Sequence, residues 1–139
     1  MVNVVIADDH RLVREAWALL LKRDKRISIT GIFDNGQAVI DLCREKCPDI
    51  ILMDINMEPI NGVEATREIK TLCKSVRIIG ISIHSDISYV NALMQAGANG
   101  YVTKNSSGSE MIHAIFEVME GRQYICKEIT SLSTERTNE

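Results

Sequence analysis

Long apolar runs are missing from this chain. Nothing in its 139 residues approaches the roughly 20 consecutive apolar positions of a membrane helix, so a bilayer-spanning protein is excluded. The N-terminus passes from Met1 straight into Val2, Asn3, Val4 and Val5, with no basic stretch and no cleavage site. No secretory signal is therefore expected, and cytoplasmic residence is the default. A basic excess is absent too: 16 Lys+Arg against 19 Asp+Glu gives a formal charge of −3. That balance argues against a chain that itself coats nucleic acid. The four cysteines, at 43, 47, 73 and 126, form no Cys-x-x-Cys pair, and no histidine stands at zinc-finger spacing. Cys43 and Cys47 lie four apart in a helical stretch, but the reading adopted is small, reduced, mostly buried thiols.

What is present is an ordinary globular composition, 45% apolar and 25% charged, at the length of one domain. Strand-like and helical segments alternate. Residues 2–8 form a continuous apolar run ending in acids, as in a strand buried on both faces. Residues 11–22 follow with Leu12, Val13, Ala16, Leu19 and Leu20 at helical spacing. Residues 27–33 are β-branched and alternating, and Asn35-Gly36 turns into a helix carrying Ala38, Val39, Leu42 and Cys43. Pro48 ends that helix and hands over to a strand at 49–53. Asn61-Gly62 opens a helix with Val63, Ala65, Thr66, Ile69 and Leu72 inward; a strand at 76–82 and a helix at 86–96 follow. Gly97 is a C-cap candidate, residues 100–103 a short fifth strand, and 109–120 a last helix closing at Gly121. Five strands alternating with five helices predict an α/β fold with a doubly wound parallel sheet, flavodoxin-like in its order 2-1-3-4-5.

That order places function at the carboxyl ends of the strands, near the switch point between strands 1 and 3. Asp8 and Asp9 end strand 1, Asp54 ends strand 3, Ser82 ends strand 4 and Lys104 follows strand 5. Taken singly, each has an ordinary structural explanation: Asp8-Asp9 as a helix cap, Asp54 as a loop acid, Lys104 as a solvated charge. Together they bring three carboxylates, a hydroxyl and an amine to one edge. Crowded acids repel unless a cation neutralises them, and magnesium suits a few carboxylates with water and phosphate oxygens. A carboxylate beside such an ion can attack phosphorus, with the amine and hydroxyl stabilising charge on the transferring oxygens.

The chain resembles the receiver domains of two-component response regulators. The matching segments are Ile6-Ala7-Asp8-Asp9-His10, Met53-Asp54-Ile55-Asn56-Met57, Gly62-Val63-Glu64-Ala65, Ile81-Ser82-Ile83-His84-Ser85-Asp86, and residues 96–104 ending in Tyr101-Val102-Thr103-Lys104. Ser82-x-His84 and Gly100-Tyr101-x-x-Lys104 are most similar to the subfamily whose receiver precedes a LuxR/NarL-type helix-turn-helix. The resemblance implies that Asp54 accepts phosphate, that Asp9 holds magnesium directly and Asp8 through water, and that the Asn56 carbonyl completes the protein ligands. Ser82 and Tyr101 would form the switch pair, the hydroxyl moving toward the phosphoryl group and the ring following inward. A sensor histidine kinase or phosphotransfer protein would be the donor. One departure is plain: the family's proline directly after the loop methionine is Glu58 here, and the proline is Pro59. Glu58 is read as a solvated loop charge, with a place as a fourth metal-side acid as the alternative. His84 is read as lining the rim of the pocket, and His10 and His113 as structural or exposed.

A phosphohydrolase working through an aspartyl phosphate carries a second acid two residues after its nucleophile, and Asn56 stands there instead. The chain is therefore not expected to be an enzyme beyond its own phosphorylation and dephosphorylation. No glycine-rich loop follows strand 1, which disfavours a nucleotide or flavin module. The receiver is expected to span 1–122, with 123–139 a linker or tail toward a C-terminal effector. In that tail Leu132-Ser133-Thr134-Glu135-Arg136 is similar to the first residues of a LuxR-type DNA-binding domain, which this chain does not contain. DNA would then be reached only through that missing domain, to control transcription; the alternative is a stand-alone receiver signalling by protein contacts. Finally, Leu12, Val13, Ala16, Trp17, Leu19, Leu20 and Leu21 cover more than the ~100° stripe of a sheet-packed helix. A broad core face is the first reading; the alternative is that the surplus, Trp17 or Leu21, is a homodimer contact paired with the last helix.

Overall fold

The computed structural model describes residues 1–83 and 87–127. Within them the chain runs β1 (Val2–Ala7), α1 (Arg11–Lys22), β2 (Ile27–Phe33), α2 (Gly36–Glu45), β3 (Ile50–Asp54), α3 (Gly62–Leu72), β4 (Arg77–Ser82), α4 (Ile87–Gln95), β5 (Gly100–Thr103), α5 (Gly108–Met119) and β6 (Tyr124–Ile125). Every strand pairing is parallel, and the sheet order is β2-β1-β3-β4-β5-β6. Apolar runs buried on both faces explain why: Ile50, Ile51, Leu52 and Met53 are all fully buried, as a strand with helices on either side requires. Helix starts follow local chemistry. Asn35, Asn61 and Ser107 each accept a first-turn backbone N–H, at Ala38, Glu64 and Glu110. Gly97 and Gly121 adopt positive φ (112° and 88°) just past α4 and α5, where a side chain would be strained.

The doubly wound order is as read from the sequence, with one addition. Tyr124 and Ile125 extend the sheet as β6 beside β5, and Cys126 behind them is fully buried. The Tyr124 hydroxyl donates to Glu110 Oε2 at 2.8 Å, tying the strand to α5. The folded body thus passes Arg122, where the sequence places the domain edge. The signal was too short to read, two residues after a polar turn. The rest of the tail, with the motif at 132–136, lies outside the described residues, as does His84.

Two expectations are corrected. The cysteines are not all free thiols: Cys47 and Cys73 form a disulfide with Cα atoms 5.8 Å apart, while Cys43 and Cys126 are free and buried. α2 and α3 pack side by side, and the bond joins the segment after α2 to the C-cap of α3. The phase of α1 is also rotated. Trp17, Ala18 and Leu21 are the buried face, while Leu12 and Leu19 are 81% and 62% exposed. α1 packs against both β2 and α5, so Trp17 and Leu21 point inward and cannot be the surplus.

Candidate functional site

β1, β3, β4 and β5 are adjacent, so their ends deliver side chains to one place. Asp54 pairs with Ile81 across β3 and β4, and Ser82 with Thr103 across β4 and β5. The Lys104 N–H donates to the Ser82 carbonyl at 2.8 Å, setting Lys104 just past β5 at the same edge. Asp8 and Asp54 are fully buried, Asp9 is half-exposed, and the Lys104 side chain is nearly covered. Lys104 Nζ lies 3.2 Å from Asp54 Oδ2 and 3.2 Å from Asp8 Oδ2. Asp54 Oδ1 accepts the Asn56 backbone N–H at 3.0 Å, and Asn56 Nδ2 donates to Ser82 Oγ at 3.2 Å. The Asp54 carboxylate and the Ser82 hydroxyl are thereby tied through one loop residue.

The tightness of this loop has a local cause. The Gly62 N–H donates to the Ile55 carbonyl at 3.1 Å, and a Cβ there would lie 2.5 Å from the Asp54 carbonyl oxygen. Only glycine lets the start of α3 approach the end of β3 so closely. Glu58 is exposed and stands outside the carboxylate cluster; the Glu58–Pro59 bond is cis.

Burial pushes the Asp54 carboxyl above the ordinary carboxylate range. The Asn56 N–H pulls the other way, Asp8 adds repulsion, and Lys104 opposes it. One lysine does not fully settle two buried acids. Asp8 Oδ2 finds no hydrogen-bond donor among the described residues and faces the Lys104 ammonium at 3.2 Å. Ligand atoms of Asp8, Asp9, His10 and Asp54 all lie within 4.8 Å of one another. A hard divalent cation fits such a donor set.

Asp8 and Asp9 do not cap α1; the capping position is His10, whose side chain makes no capping bond. His10 is the residue that reading the sequence missed. Its Nδ1 lies 2.7 Å from Lys104 Nζ, 3.1 Å from Asp9 Oδ1 and 3.2 Å from Asp8 Oδ1. Nothing in residue spacing tells which way the ring of a helix-capping residue turns; its place directly after the acid pair was the only hint. Tyr101 is fully buried.

A family model described as response regulator receiver domain matches residues 4–116. The chain belongs to the response-regulator receiver family. Over 129 residues this receiver is 37% identical to the response regulator UvrY of Escherichia coli and 36% identical to the transcriptional regulatory protein DegU of Brevibacillus brevis. Those alignments cover 93% of the receiver but 59% and 55% of the relatives, so the chain spans under three fifths of the length of either. Among solved structures, a LuxR-family two-component response regulator from an Aurantimonas species superposes with a TM-score of 0.92 at 31% identity, over 99% of this chain and 98% of that one. The receiver domain of the response regulator NarL from Mycobacterium tuberculosis gives 0.83 at 30%, over 87% and 98%. This is a receiver of the LuxR/NarL type, as its motifs implied. No helix among the described residues is long and apolar enough to cross a membrane.

Proposed function

We propose that this receiver is a phosphorylation switch in which Asp54 takes a phosphoryl group from a phosphohistidine. The supporting observation is the buried Asp54 carboxylate, held beside Asp8 and Lys104 at the carboxyl end of the central strand. Magnesium is the ion that fits, with Asp9, Asp54 and the Asn56 backbone carbonyl as ligands and Asp8 acting through water. Bound there, it supplies neutralisation of the carboxylates and polarisation of the phosphoryl oxygens.

The chain's own residues do the rest. The Asn56 N–H holds Asp54 Oδ1, which leaves Oδ2, on the Lys104 side, to attack phosphorus. The P–N bond to the donor imidazole breaks as the P–O bond to Asp54 forms. Lys104 turns from Asp54 to the incoming phosphoryl oxygens, and the Ser82 hydroxyl exchanges its bond to Asn56 for one to the same group. The product carries roughly two negative charges at the edge of β4 and β5, and Tyr101 packs inward behind Ser82. The chain catalyses only its own phosphorylation and hydrolysis.

The donor is a sensor histidine kinase or phosphotransfer protein in the cytoplasm. The short coverage of UvrY and DegU supports a receiver whose output is a LuxR-type DNA-binding domain beyond this sequence, with transcription as the process controlled. In domain terms, residues 1–122 with β6 form the receiver, and the remaining residues lead to that effector. The exposed leucines of α1, Leu12 and Leu19, are the surface for a homodimer. Incubation with acetyl phosphate and Mg2+ tests the core of this reading. Wild type should gain one phosphoryl mass, and Asp54→Asn should gain none. Equal labelling of the two would overturn the assignment.

A further inference from the structure

His10 stands inside the proposed metal site without a role in the family reading. Its backbone is fixed: the N–H donates to Asp8 Oδ1 at 2.8 Å, and the residue caps α1 in an extended conformation. His10 Nδ1 lies 2.7 Å from Lys104 Nζ and 3.2 Å from Asp8 Oδ1, so the ring nitrogen is turned into the cluster. The same ammonium is the cation that Asp8 and Asp54 face, each at 3.2 Å. Lys104 therefore marks a point on which one nitrogen and two carboxylate oxygens converge, with Asp9 Oδ1 a further 3.1 Å from the ring nitrogen.

From this geometry we infer that His10 is a metal ligand through Nδ1, and that it tilts the site from magnesium toward first-row transition ions. The inference rests on the acidic cluster being the metal site proposed above. Two ligands bound at about 2.0–2.2 Å can be no more than ~4.4 Å apart. The four donor groups, all within 4.8 Å of one another, need only small adjustments to share an ion. The fully buried Asp8 Oδ2 finds no hydrogen bond and faces a cation, the Lys104 ammonium, at 3.2 Å. Magnesium takes oxygen ligands and gains little from an imidazole, whereas cobalt and zinc favour one. The ion and Lys104 compete for the same donors, so metal binding also frees the lysine.

The test is titration of the metal-free protein with Co2+ and with Mg2+ by calorimetry, for wild type and His10→Ala. Mn2+-loaded samples of both are then compared by pulsed electron paramagnetic resonance. His10 is half-exposed, so the variant should fold, which its circular dichroism will confirm. Wild type should show nitrogen modulation on Mn2+ that the variant lacks. The variant should bind Co2+ 10- to 100-fold more weakly or worse, the loss typical of even an outer-sphere partner, and Mg2+ less than threefold more weakly. Mn2+ bound without nitrogen modulation, or equal loss for Co2+ and Mg2+, would overturn the role of His10 alone. Failure of wild type to bind any of the three ions would overturn the site itself.

Discussion

Asp54 is held where an ionised carboxylate is least comfortable, fully buried and beside Asp8. Its pKa is raised by burial first, so the folded chain holds the Asp54 proton more tightly than the unfolded chain. A raised acid contributes stability that is complete below its unfolded pKa and lost as pH rises through its folded pKa. In the metal-free protein at neutral pH, Asp54→Asn should therefore raise the melting temperature by roughly 2–6 °C. The gain should shrink on acidification; a lower melting temperature at neutral pH would contradict this account. Gly62→Ala should act in the opposite direction, since its Cβ would meet backbone rather than a flexible side chain. A loss of about 1–3 kcal/mol in urea unfolding is expected, and an unchanged midpoint would show that α3 can shift freely. At this scale Asp8, Asp9, Asp54, Ser82 and Lys104 were legible because strand order alone brings strand ends together. His10 was not, because the direction of a ring depends on packing and charge that adjacency in sequence does not carry.

The helices and strands were readable wherever periodicity was strong. α1, β2 and β5 have the bounds their patterns suggest, while the phase of α1 differs because eight apolar residues blur which side is the centre. The Cys47–Cys73 bond was illegible for a related reason: the two stand 26 positions apart, and they meet only when α2 and α3 pack side by side. Closing a loop of that length stabilises by about 3–4 kcal/mol through the unfolded chain. Dithiothreitol should lower the urea midpoint of wild type accordingly and leave Cys47→Ser unmoved. Identical midpoints of wild type with and without reductant would remove the bond from the stability of the fold. The link between β6 and α5 is smaller. Tyr124→Phe removes one hydrogen bond to Glu110 and should cost on the order of 1 kcal/mol.

For the whole molecule, the sheet gathers one reactive edge, and the exposed leucines of α1 lie outside the core on a flank of the same body. A receiver that pairs through α1 should sediment as a heavier, concentration-dependent species when beryllofluoride mimics the phosphoryl group. Leu19→Asp should restore the monomer; a wild-type monomer at every concentration would count against pairing. Phosphorylation at Asp54 is what the whole molecule is built around, and one measurement reaches it directly. Acetyl phosphate and Mg2+ are added, the product is reduced with borohydride, and the chain is mapped by peptide mass spectrometry. Reduction of an aspartyl phosphate leaves homoserine, which should be found at position 54 and only when Mg2+ is present. Homoserine at another aspartate, or none at all in phosphorylated protein, would contradict the account.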